Sequence, residues 1–257
     1  MILGCDVGTG YTKAVVMEDG KYLFGAHVPT NADPNGGIER VLSEIENAHG
    51  VKAGDMEKIV VTGWGAGNVA MPHEDLPIVK SLALAALWDL PTCRNVLCMG
   101  AQQTAMLALN NKGKVASYRL NDKCASGAGA FLEIIFQALE CDNENSADIA
   151  RAADKKITMS SQCAVFAESE VVSLVNDGES VSNILDAIFR SLVSGAKTLS
   201  KRVKIFGDVV ICGGLANNSR IVELVEETLE VKVHVFRPRA DYIAAVGAAL
   251  SVNGGGK

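Results

Sequence analysis

A chain of 257 residues, 48% hydrophobic and 21% charged, is long and apolar enough to bury a sizeable core, which excludes an intrinsically disordered chain. Its net charge of −6 comes with no basic run or stripe, which excludes nucleic acid and anionic membrane as partners. No apolar stretch reaches the ~18 residues of a membrane helix, and "MILGCDVG" enters a strand pattern with no signal-peptide grammar, so the expected compartment is the cytoplasm.

In chain order, Ile2 to Val7 reads as a buried strand that runs into the glycine turn "DVGTGYTK". Strands follow at Thr12–Met17 and Tyr22–Val28, joined by "EDGK", and Asp-Gly between two strand runs signals a hairpin. Ile38, Val41, Leu42 and Ile45 have helical spacing, Lys58–Thr62 is a strand ending in "GWGAG", and a helix over Leu76–Leu90 stops at Pro91. The same grammar then restarts with strands at Asn95–Met99, Thr104–Leu109 and Val115–Leu120, interrupted by "GAQQT" and "NNKGK". A shift of 92 positions places Gly8 on Gly100 and Thr12 on Thr104, and "DVVICGGLANN" repeats the pattern of "KIVVTGWGAGN". Two related α/β halves are therefore expected, residues 1–94 and 95–257, with a C-terminal helix over 241–257 that packs back on the first. The region from Cys124 to Ser200 has no counterpart in the first half and reads as an inserted helical segment.

The turn from Asp6 through Gly8, Thr9 and Gly10 offers backbone N–H groups to a phosphate, with Asp6 placed to hold a magnesium ion (Mg2+) or its water and Lys13 adding positive charge. Gly100 and Ala101 repeat the turn, and Gly213 and Gly214 form a third one at a strand end. Three such turns in two halves predict a nucleotide cleft. No P-loop motif occurs, and a strand rather than a helix follows the first turn, which departs from a Rossmann turn. Seven cysteines, an odd number with no CxxC pair, argue against a disulfide framework, and Cys5 and Cys212 in apolar runs read as small buried hydrophobes. Cys124 in "NDKCASGAGAFLE" and Cys163 in "SSQCAVFAESEVVSLV" each precede an apolar-periodic run, which places a sulfur at a helix N-terminus where a thiolate is favoured. The four histidines are scattered, and the acidic stretch Glu223–Glu230 reads as ordinary helix surface.

The duplicated turns resemble the acetate and sugar kinase, heat-shock chaperone and actin superfamily, which implies two RNase H-like, actin-like ATPase domains closing over ATP. The two cysteine segments, with "GGLANN" and "YIAAVGAAL", resemble the activators of 2-hydroxyacyl-CoA dehydratases and the ATPase subunits of benzoyl-CoA reductases over nearly the whole chain. That resemblance implies ATP-dependent delivery of low-potential electrons from a ferredoxin or flavodoxin to an iron–sulfur dehydratase or reductase acting on a CoA ester. It also implies a 4Fe–4S cluster. Such a cluster needs about four thiolates, so Cys124 and Cys163 of two subunits would share it, in a homodimer or a heterodimer with a homologous subunit. Ser126, Gly127 and Gly129 would leave N–H groups free for the cluster, and Gly213, Gly214 and Asn217 would serve the adenosine side. The resemblance fails at the second turn, where relatives read roughly D-I-G-G-Q-D and this chain reads "CMGAQQ", with Cys98 and Gln103 in place of two aspartates. Gln102 and Gln103 are then the residues left to position an attacking water. Two alternatives follow: a weakly or non-hydrolysing subunit paired with a homologous ATPase, and a cluster-free small-molecule kinase.

Overall fold

In the computed structural model, which describes residues 1–121, 128–159 and 164–253, the first glycine turn joins the central strands of a five-stranded sheet. Strands β1 (Ile2–Val7), β2 (Tyr11–Glu18), β3 (Lys21–Pro29), β4 (Lys58–Thr62) and β5 (Glu74–Asp75) lie in the order β3-β2-β1-β4-β5. The β2–β3 hairpin closes through Asp19 and Gly20, both at positive φ (50° and 75°), as expected for the Asp-Gly signal. Strand alternation sends Leu3, Cys5, Val7, Ala14, Val16 and Val28 to one face. Ile38, Val41 and Ile45 of helix α1 (Pro34–His49) cover that face, and each such burial contributes about 2 kcal/mol.

The opposite face carries Gly4, Asp6, Lys13 and Gly25. The C-terminal helix α8 (Ile243–Leu250) packs here, with helix α2 (Ile78–Asp89) against it, and every residue of α8 from Ile243 to Ala249 is buried. The approach is close enough that a Cβ on Gly4 would strike the carbonyl of Ala245 and the backbone of Ala249, and one on Gly247 would strike the carbonyl of Ser81. Ser81 Oγ donates to Ala244 O across the same seam.

The second sheet contains β6 (Cys93–Met99), β7 (Thr104–Leu109), β8 (Val115–Leu120), β9 (Asp208–Cys212) and β10 (Val233–Val235), in the order β10-β9-β6-β7-β8. Read in the other direction this is the strand order of the first sheet, so the predicted duplication extends to the topology of each sheet. Buried Asn95 holds the segment before β9 to this sheet: its Nδ2 donates to Leu107 O (3.1 Å) and Lys204 O (3.2 Å), and its Oδ1 accepts from Phe206 N (2.9 Å). The helices of the second half are α3 (Ala128–Ala138), α4 (Ser146–Arg151), α5 (Ala164–Asn176), α6 (Val181–Ser200) and α7 (Ser219–Leu229).

The chain divides into two compact units. One comprises 1–93, 109–115 and 236–257, and the other 94–108 and 116–235. In the second unit α4, α6 and α7 are tied by charge. Buried Asp186 accepts from Arg190 Nε (2.6 Å) and Arg220 Nη2 (2.9 Å), and Arg220 and Arg151 share Glu223. Glu223 is thus a cross-helix partner, contrary to the plain surface role expected from its acidic surroundings. Among the described residues, no helix is long and apolar enough to cross a membrane.

Candidate functional site

In the first unit, β1 ends at Val7 and β2 starts at Tyr11, so Gly8, Thr9 and Gly10 make the reversal. Gly8 N donates to Tyr11 O (3.1 Å). A side chain at Gly8 is excluded, because its Cβ would stand 2.7 Å from Tyr11 O and 2.9 Å from Lys13 Nζ. Gly8 therefore supplies room, while the N–H groups of Thr9 and Gly10 have no partner among the described residues. Thr30 holds the turn from the end of β3: its Oγ1 donates to Gly8 O (2.7 Å) and its N–H to Gly10 O (2.9 Å). Thr30 was not legible as a site residue, since nothing local marks it and Gly8 lies 22 positions away.

Asp6 is 6% exposed and lies in register with Lys13 on β2 and Thr62 on β4. Lys13 Nζ donates to Asp6 Oδ2 (3.1 Å). Asp6 Oδ1 and Thr62 Oγ1 are buried without a hydrogen-bond partner among the described residues. An unpaired buried carboxylate oxygen is costly unless a ligand completes it, and a magnesium ion or its water would do so with the hard oxygen such an ion prefers. The residues present thus fit the expected metal. Gly63, at φ +98°, closes this corner, and a Cβ there would lie 2.6 Å from Asp6 Oδ1. Neighbouring Cys5 points into the core, where burial and then the charge of Asp6 push its thiol up to about 12, so it is an inert packing group.

The second unit repeats this construction without the charges. Gly100 N donates to Gln103 O (2.8 Å), closing the same turn, and Ala101 and Gln102 follow. Asn121 follows β8 as Thr30 follows β3, but it bonds chiefly the first residue of β7: its Oδ1 accepts from Thr104 N (2.9 Å), its N–H donates to Thr104 O (3.0 Å), and its Nδ2 reaches the turn at Gln102 O (3.5 Å). Gln102 is exposed and Gln103 half-buried. Gly213, at φ +89°, lies against Met99 as Gly63 lies against Val7; a Cβ there would come within 2.6 Å of Met99 C. Gly214 is open, and exposed Asn217 ends the short helical turn Gly214–Asn217. Its neighbour Asn218 is structural, since Oδ1 caps α7 through Arg220 N (3.1 Å) and Ile221 N (3.2 Å).

One expectation is corrected. The N–H of Gly129 is not free for a cofactor: both Gly129 N and Ala130 N donate to Ala101 O at 3.0 Å. A Cβ on Gly129 would lie 2.8 Å from Ala101 Cα and 2.8 Å from Gly100 O. The first turn of α3 is therefore seated on the second glycine turn, and glycine is required there for close approach.

Cys124 and Cys163, with Ser126 and Gly127, lie outside the described residues, as do residues 254–257 of the expected C-terminal helix. Helix α5 begins at the residue after Cys163, and α3 begins shortly after Cys124. Among the described residues no group of three or more His, Cys, Asp or Glu could hold a metal ion, and Cys5, Cys93, Cys98, Cys141 and Cys212 form no disulfide.

Two sheets of one strand order, each with its central strand ending in a glycine turn, define an actin-like ATPase fold. The chain belongs to the BadF/BadG/BcrA/BcrD ATPase family, whose model matches residues 3–252. It is 34% identical over 248 residues to the activator of lactoyl-CoA dehydratase from Anaerotignum propionicum, covering 96% of this chain and 95% of that protein. A benzoyl-CoA reductase subunit from Thauera aromatica is 32% identical over 257 residues, with 96% of this chain and 91% of that protein covered. The solved activator of 2-hydroxyisocaproyl-CoA dehydratase from Clostridium difficile, with bound ADPNP, superposes with a TM-score of 0.91 at 29% identity, covering 97% of this chain and 93% of that one.

Proposed function

We propose that this chain is a cytoplasmic, ATP-driven electron-transfer component that passes low-potential electrons to an iron–sulfur dehydratase or reductase acting on a CoA ester. The observation that carries the reading is the seating of α3 on Ala101. It joins a glycine turn of the ATPase fold to the helix that follows Cys124 through two hydrogen bonds and a side-chain-free contact. A shift of that turn on nucleotide exchange would therefore be felt at the start of α3.

Thr9 and Gly10 would donate to phosphate oxygens, Lys13 would offset their charge, and Asp6 would hold the magnesium ion or its water. Gly100 and Ala101 would line the second turn, Gln102 and Gln103 would position the attacking water, and Gly213, Gly214 and Asn217 would border the adenosine. Cys124 and Cys163 from each of two subunits would hold the 4Fe–4S cluster, which when bound supplies a low-potential one-electron couple. A ferredoxin or flavodoxin would act as donor, and the partner subunit would be a second copy or a homologue. Support for the nucleotide comes from the family and from the relative solved with ADPNP.

Anaerobic purification followed by iron and sulfide assay tests the reading. We expect a brown protein with about four irons per dimer, and loss of iron and of the dimer in Cys124→Ala and Cys163→Ala. A colourless wild-type protein, or full iron content in either variant, refutes it. A weakly hydrolysing subunit beside a homologous ATPase is a second reading, favoured by Cys98 and Gln103 where two aspartates are expected.

A further inference from the structure

In the first unit three polar side chains stand side by side across neighbouring strands. Thr62 on β4 is in register with Asp6 on β1, which is in register with Lys13 on β2. Asp6 and Lys13 form a largely buried ion pair, with side chains 9% and 14% exposed. Each partner offsets much of the desolvation cost of the other, so removing one alone strands a buried charge.

The second unit reproduces the backbone of this row. Cys98 on β6 is in register with Ala105 on β7, as Asp6 is with Lys13, and the shift of 92 that pairs Gly8 with Gly100 pairs these residues too. Because Gly213 contacts Met99 as Gly63 contacts Val7, the preceding residue Cys212 takes the place of Thr62. The row Thr62–Asp6–Lys13 is therefore matched by Cys212–Cys98–Ala105. The hydroxyl, the carboxylate and the ammonium of the first row are all absent from the second, so no cation stands beside the missing carboxylate.

We infer that residues 98, 105 and 212 are one electrostatic set, whose uncharged side chains together make the second glycine turn a neutral cradle. Among the described residues of the two turns, the hard metal ion and the phosphate charge then fall to Asp6 and Lys13. The inference rests on the nucleotide reading above and names the residues that set the metal dependence of that site. It follows that Cys98→Asp does not by itself restore a second carboxylate site. In that strand position the new carboxylate faces Ala105 and lacks the ammonium that Asp6 has.

The test combines thermal melting with fluorescence titration of ADPNP, with and without Mg2+. The proteins are wild type, Asp6→Asn, Cys98→Asp, Ala105→Lys, Cys98→Asp/Ala105→Lys, and that double variant combined with Asp6→Asn. We expect each single change at 98 or 105 to lower the melting temperature by at least about 4 °C, and the double change to recover most of that loss. Mg2+ should tighten ADPNP binding about tenfold or more in the wild type, not in Asp6→Asn, and again in the combined triple variant. Additive melting shifts at 98 and 105, or a Mg2+ effect that survives Asp6→Asn alone, overturn the inference. Absence of saturable ADPNP binding to the wild type overturns instead the nucleotide reading, and the melting cycle still decides whether 98 and 105 act as a pair.

Discussion

Replacing Gly129 by alanine sets two effects of opposite sign against each other. Alanine is the better helix former by at most about 1 kcal/mol. Against this, its Cβ would stand 2.8 Å from Ala101 Cα and 2.8 Å from Gly100 O, whereas carbon atoms in ordinary contact are about 3.5–4.0 Å apart. Relief requires a displacement of about 1 Å, an overpacking cost of about 1–3 kcal/mol. The two bonds to Ala101 O stretch with it, and each contributes about 1 kcal/mol. Sterics win, and the strain falls on the second glycine turn. Nucleotide affinity should drop about tenfold, equivalent to about 1.4 kcal/mol, and the melting temperature should fall. Gly195 in α6 is the control: a Cβ there meets nothing within 4 Å, so Gly195→Ala should stabilise by about 0.5–1 kcal/mol. Thermal melts and nucleotide titration of both variants decide the matter. If Gly129→Ala melts at or above wild type with unchanged affinity, the seating of α3 on the turn has no energetic consequence and the proposed route from turn to helix fails.

Two further outcomes follow from charged and titratable groups. Among the described residues, Asp186→Ala leaves Arg220 with Glu223 and Glu227 as anionic partners. Because those two carboxylates remain, the loss should be about 2–3 kcal/mol rather than the roughly 3–5 kcal/mol of a fully orphaned buried charge, and an unchanged melting temperature would contradict it. His27 is held below its ordinary value by burial first and then by Arg239, with Asp241 opposing and Lys13 adding to the effect, and its Nδ1 lies 3.2 Å from Tyr242 Oη. Since the folded state resists protonation, the unfolded state binds more protons once pH falls below 6.5, so stability present above that pH is lost as pH drops through the folded value. His27→Gln should flatten this acid limb of the melting curve, and parallel curves for the two proteins would show that another group is responsible.

The features legible in the chain alone are local and periodic. The strands at Lys58–Thr62, Thr104–Leu109 and Val115–Leu120, the Asp19-Gly20 hairpin and the two glycine turns follow from alternation and turn chemistry within a few residues. The 92-residue repeat exposed the duplication, and Cys98 opposite Asp6 was visible from the same shift. Folding settled whatever depends on distant partners. Thr30 and Asn121 brace their turns from beyond the ends of neighbouring strands, Glu223 joins two arginines from separate helices, and Ala105 matters only because β6 and β7 set it beside Cys98. Gly129 shows the difference most plainly. In one dimension it is a small residue near a cysteine, with a donor to spare, but folding spends that donor on Ala101 and makes its missing side chain the contact between a glycine turn and a helix.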